Sequence, residues 1–241
     1  MKLIAEIGLN HCGSEQRAMD LLEKISATSV DAFTFQIRER KFYDGTHPRK
    51  KELPDDFYRA AVRVAKKTGK QIGFAIAQPE KIGFLQDIGA DFWKSLSWDL
   101  TNTTLQKQLH DTGKKNYIST GVSGLPEIVE VARKYPDVDF IHTQLDYETA
   151  NVNLRAIDTI RQATNCGVAF GSHCRDSNIL YVAVAFSPSA IFFYVKDETD
   201  GEHPDDYHAV RISQVEALVN EIRSLKSSLG HGEKKPLENK L

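Results

Sequence analysis

Ile4-Ala5-Glu6-Ile7-Gly8-Leu9-Asn10-His11-Cys12-Gly13 runs from an apolar strand into a polar corner bounded by glycine. Glu6 interrupts the apolar run. A carboxylate buried there is costly unless it is paired or used. Two readings follow: a lysine across the interior satisfies it, or it belongs to a functional site. Asn10 and His11 then mark the mouth of whatever the strand opens into.

Working outward from this unit, short apolar runs alternate with amphipathic segments to the end of the chain. The runs Leu3–Leu9, Asp31–Ile37, Gln71–Ala77, Asp91–Leu96, Asn116–Thr120, Asp139–Gln144, Gly167–Ser172 and Ala190–Val195 read as eight strands. Ser14 caps a helix carrying Met19, Leu22 and Ile25 at helical spacing. Pro54 opens another, with Phe57, Ala61, Val64 and Ala65 on one face. Pro79–Ile88, the helix from Asn102, the helix with Pro126 in its first turn, Asn153–Thr164, Asn178–Phe186 and Val210–Leu229 follow. Eight strands, each followed by a helix, predict an α/β fold, a closed (β/α)₈ TIM barrel. An open doubly wound sheet would need a switch point, and no GxGxxG turn is present. The barrel is expected over residues 1–230, with a polar tail over 231–241. The charged stretch Arg38–Leu53 is a long loop of the kind that covers a site.

The 241 residues suit such a barrel, and a net charge of -2 gives no reason to expect nucleic acid or anionic lipid. Cys12, Cys166 and Cys174 make no disulfide framework, and no signal peptide or membrane-spanning run is seen. A reducing, cytoplasmic setting is expected.

In a barrel, chemistry collects at the C-terminal ends of the strands. Those positions here are polar: Glu6, Gln36 with Arg38 and Glu39, Lys94 with Ser97 and Asp99, Ser119, His142 with Asp146 and Tyr147, Ser172 with His173, and Lys196 followed by His203, Asp205 and His208. Lys94, Ser97, Ser119 and Ser172 together resemble an anion cradle, a point charge among oriented donors. Their plainer roles are a core ion pair for Lys94 and turn chemistry for the serines. His173 reads as a metal ligand, a base or a buried neutral histidine. Trp93 and Trp98 read as packing.

The pattern resembles the sialic acid synthase family, the N-acetylneuraminate synthase-like barrels, over almost the whole length. The resemblance rests on Ala5 to Gly13, Phe35-Gln36, Lys94 to Asn102, Ile118 to Gly121, Asn153 to Ile157 and Gly171-Ser172-His173. It implies a transferase that condenses phosphoenolpyruvate with an N-acyl amino sugar, typically N-acetylmannosamine, releasing phosphate and a nonulosonic acid. It further implies Glu6 and Lys94 as catalytic residues. Lys94, Ser97, Ser119, Gln36 and Ser172 become the phosphoenolpyruvate set, and Asp99, Tyr147 and Asp205 the sugar contacts. A divalent metal, usually manganese, would bind at His173. Expected partners are small-molecule substrates, with a homodimer, if any, formed through barrel helices.

The departures are as informative. The family's second metal histidine ends strand eight, where this chain reads Phe193-Tyr194-Val195-Lys196, and His203 and His208 in the loop that follows are the candidates to take its place. Its strand-two lysine is Thr34 here, and its strand-seven serine is Gly171. Its small C-terminal antifreeze-like domain is expected to be absent. Two alternatives therefore stand beside the synthase: a divergent barrel that binds an anionic sugar or phospho-ligand without this reaction, and a Schiff-base aldolase using Lys94 or Lys196.

Overall fold

A computed structural model describes residues 1–44, 51–201 and 203–234. Eight parallel strands, β1 (Lys2–Gly8), β2 (Ala32–Ile37), β3 (Gln71–Ile76), β4 (Phe92–Ser95), β5 (Lys115–Ser119), β6 (Asp139–His142), β7 (Gly167–Gly171) and β8 (Ala190–Lys196), pair in chain order. β8 returns to pair with β1, so the sheet closes and the expected barrel is present. A two-residue strand, β9 (Val210–Arg211), adds to β8 where that strand leaves the barrel.

The intervening helices are α1 (Glu15–Ser26), α2 (Arg40–Tyr43), α3 (Asp55–Thr68), α4 (Ile82–Ile88), α5 (Thr103–Asp111), α6 (Leu125–Lys134), α7 (Ala156–Thr164), α8 (Asn178–Ala183) and α9 (Ile212–Ser228). Their local signals act as read. The Ser14 hydroxyl accepts from the Arg17 amide, and Asn102 accepts from the Leu105 amide. The expected Arg38–Leu53 loop contains the short helix α2, and its residues 45–50 lie outside the described residues. The part of the expected tail over 235–241 lies outside them too.

Two separate apolar regions hold the fold. The larger lies between strands and helices. The smaller fills the barrel with Ile4, Ala32, Phe92, Tyr117, Ile141, Ala169, Ala190 and Phe192. β3 contributes Gly73 at this level, paired with Phe92, and a Cβ there would lie 2.2 Å from the Phe92 ring. The missing side chain is the space the ring occupies. Above this apolar plug the interior turns polar, and the site begins there. Among the described residues, no helix is long and apolar enough to cross a membrane.

Candidate active site at the barrel mouth

Glu6 and Lys94 meet inside the barrel. The Lys94 ammonium donates to Glu6 Oε2, and the two residues are only 5% and 2% exposed, Lys94 first. Each satisfies the other, as a buried charge must be. Lys94 Nζ also lies 5.4 Å from the Phe192 ring centroid and 5.6 Å from that of Tyr194. A register shift in β1 between Glu6 and Gly8 turns this part of the strand. Gly8 has φ 55°, and a Cβ there would come within 3.1 Å of the Tyr194 ring.

Above the pair opens a cavity of about 590 Å³. Glu6, Gln36, Lys94, Ser97, Ser119, Tyr147, His173 and Asp205 line it, so eight of the ten candidate residues converge on one space. Ser172 and Asp99 do not line it. Ser172 is buried, and its hydroxyl accepts from the Cys174 amide at 3.3 Å, the turn role open to it from the start. Asp99 accepts from Asn102 Nδ2 at 3.2 Å at the start of α5. Gln106 supports that corner, donating to the Asp99 carbonyl at 2.8 Å and accepting from Asn116 at 3.1 Å.

The loop after β8 forms one wall. Asn10 clasps it: Nδ2 donates to the Val195 carbonyl at 2.8 Å, and Oδ1 accepts from the Asp205 amide at 3.1 Å. Asn10 and His11 are both buried and behind the lining, so they support the mouth without facing it. His203 donates to the Asn10 carbonyl at 2.9 Å and to Asp197 at 2.9 Å. Burial would lower its imidazole, but hydrogen bonding with Cys12, Asn10 and Asp197 prevails and holds it at about 9. Asp205 goes the other way. Burial, then the nearby Glu6 charge, raises it to about 7.

Lys196 donates to Asp200 and to two oxygens of Asp206, at 2.8–3.1 Å, inside this loop, and it does not line the cavity. Its three N–H donors are used there, which disfavours it as a Schiff-base nucleophile.

His173 packs against His208, with ring centroids 4.6 Å apart. Burial, with His208 and Lys94 nearby, lowers the His173 imidazole to about 3, and burial with Lys94 lowers His208 to about 4. Both rings are therefore neutral at pH 7. His208 Nε2 stands 3.7 Å from Asp205, and its ring nitrogens are buried without hydrogen-bond partners. Tyr194, from the strand-eight stretch that carries no histidine, lies 5.3 Å from His173. Among the described residues no three His, Cys, Asp or Glu side chains are arranged to hold a metal ion. His173 has one neighbouring imidazole, His208, and among the described residues no third donor joins them to hold the expected manganese.

A family model described as the NeuB family matches residues 19–234. The chain belongs to the NeuB family. Its NeuB relatives include an N,N'-diacetyllegionaminic acid synthase of Campylobacter jejuni, 24% identical over 97% of this chain and 78% of that protein. A human N-acetylneuraminate-9-phosphate synthase is 22% identical over 95% of this chain and 71% of that protein. The solved N-acetylneuraminic acid synthetase of Leptospira borgpetersenii superposes with TM-score 0.88 at 23% identity, covering 98% of this chain and 87% of that one. That likeness confirms the barrel.

Arg38, Trp98, Tyr194 and His208 are among the lining residues of this NeuB barrel that were not singled out as site residues from sequence. Arg38 was visible as a polar strand-end residue with no assigned task, and His208 as one of two loop histidines in line for the missing metal position; of these, His208 is the one that stacks on His173. Trp98, read as packing, is 56% exposed at the rim, whereas Trp93 is fully buried as expected. Nothing in the local pattern separates the two tryptophans. Tyr194 sits in an apolar strand whose inward face only the closed barrel defines.

Proposed function

We propose that the chain is a sugar-acid synthase that condenses phosphoenolpyruvate with an N-acyl amino sugar and releases inorganic phosphate. The observation that carries this reading is the buried Glu6–Lys94 pair at the floor of the cavity that Ser97 and Ser119 also line. Lys94, Gln36, Ser97 and Ser119 hold the anionic donor by one point charge and several hydrogen-bonding groups. Tyr147 and Asp205 face the space left for the sugar. The enol carbon of the donor forms a bond to the sugar aldehyde carbon. Glu6 orients water and takes its proton as that water adds to the cationic carbon that results. Phosphate then leaves with its oxygen and electron pair. Asp205, titrating near neutrality, gives or takes a proton at the sugar oxygens.

The test is phosphate release from phosphoenolpyruvate with a panel of N-acyl amino sugars, with and without added manganese. Release that depends on one sugar, and is lost in Glu6→Gln, is the expected result. No release with any sugar under either condition rejects the reading. The lack of a metal-holding group among the described residues favours a second reading, an anionic-ligand binder without turnover. Calorimetric binding of phosphoenolpyruvate with no phosphate release would select it.

A further inference from the structure

The floor of the cavity carries little free positive charge. Lys94 is paired with Glu6, and His203 is committed to Asp197 and the Asn10 carbonyl. The inward position on β2 opposite Glu6 is Thr34, fully buried, with its hydroxyl lacking a hydrogen-bond partner. A phosphoryl dianion placed over such a floor needs a further cation.

Arg38 stands at the C-terminal edge of β2 and lines the same cavity. It is a built feature. Its amide donates to Tyr43 Oη at 2.9 Å, and its carbonyl accepts from Gln78 Nε2 at 2.8 Å. Its guanidinium carbon lies 4.5 Å from the Phe42 ring centroid, and Glu39 holds it through Nε at 3.0 Å and one terminal nitrogen at 3.1 Å. Those bonds use two of five N–H donors. The side chain is 19% exposed, and its charge acts on Tyr194 across the mouth and on Asp99 after β4. A planar fork held in this way suits the oxygens of a phosphoryl group better than a mobile lysine does.

We infer that Arg38 is the phosphoryl clamp of this pocket, binding the phosphate end of the donor from the rim while Lys94 serves the floor. The inference rests on the proposed synthase reading and names a residue for its leaving group. Because the clamp holds both the phosphoryl group and the departing phosphate, it sets donor affinity and product inhibition together. Glu39 and Phe42 are positioning residues for it.

The experiment compares calorimetric titrations of the full chain, Arg38→Ala and Arg38→Lys with phosphoenolpyruvate, inorganic phosphate and pyruvate. Circular dichroism confirms that each variant is folded. Arg38→Ala is expected to weaken phosphoenolpyruvate and phosphate binding by about 10- to 100-fold, the loss of a charge-assisted contact. Pyruvate binding should change less than threefold, and Arg38→Lys should recover part of the loss. If the unaltered chain binds phosphoenolpyruvate and Arg38→Ala binds it equally well, the clamp is overturned and the synthase reading survives. If pyruvate binding falls as much as phosphate binding, Arg38 serves the carboxylate and the clamp is again wrong. If the unaltered chain binds none of the three, both the clamp and the synthase reading fall.

Discussion

Glu6 and Lys94 lie 88 positions apart in sequence and meet in the barrel interior. Replacing Lys94 by Met strands a buried carboxylate and should cost about 3–5 kcal/mol in a urea-unfolding measurement. Adding Glu6→Gln removes the stranded charge, so the double variant should regain most of that loss. A double variant no more stable than Lys94→Met would show that the cost is packing alone. Asp205 leads to a separate expectation. Its carboxyl is raised to about 7, above the ordinary 3.8, by burial and then by Glu6. The folded state therefore holds a proton that the unfolded chain has lost, and this contribution to stability declines as pH rises from about 4 through 7. The same group should place an inflection near pH 7 in the rate profile, and Asp205→Asn should abolish it. An unchanged inflection would assign it elsewhere.

The loop from β8 to β9 is the element on which the site wall depends. Its described residues are held by Asn10, by His203 with Asp197, by Lys196 with Asp200 and Asp206, and by the rings of Tyr207 and His208 against Tyr147, His173 and Tyr194. The bonds that hold His203 at about 9 leave it charged in the folded state at neutral pH. Stability from this source is fully present below the ordinary 6.5 and is lost as pH rises through about 9. Asp197→Asn should lower stability at pH 7 by about 1–3 kcal/mol. It should also flatten the decline between pH 7 and 9 in thermal melts. A variant that still declines as the parent does would rule His203 out as the titrating group. Lys196, a strand-end lysine by sequence, is a loop anchor for the same reason: two carboxylates and the Asp206 carbonyl, ten or fewer residues away, take its donors.

Across the whole molecule, closure of β8 on β1 makes one apolar plug shared by all the strands. Gly73 has no spare room there, because Phe92 fills the volume a methyl group would need. Gly73→Ala should cost about 1–3 kcal/mol by overpacking. Since the plug touches every strand, far- and near-ultraviolet circular dichroism should lose signal in one coincident transition at a lower midpoint. Two separated transitions would show that the halves of the barrel unfold independently.

Local sequence determined the eight strands, the capped helices and hence the closed α/β architecture, because period, caps and breakers act over a few residues. It also placed most of the pocket, since strand ends of a barrel share one mouth whatever the loops do. It did not separate Ser172 and Asp99, turned into local hydrogen bonds, from Ser97 and Ser119, which face the cavity. Nor did it assign Arg38 or Tyr194, or choose between His203 and His208 as the neighbour of His173, or show that among the described residues no third metal donor joins that pair. Those outcomes depend on which way a side chain points once the sheet has curled shut. That direction is set by neighbours tens to nearly two hundred residues distant, through packing and charge pairing that no local pattern records.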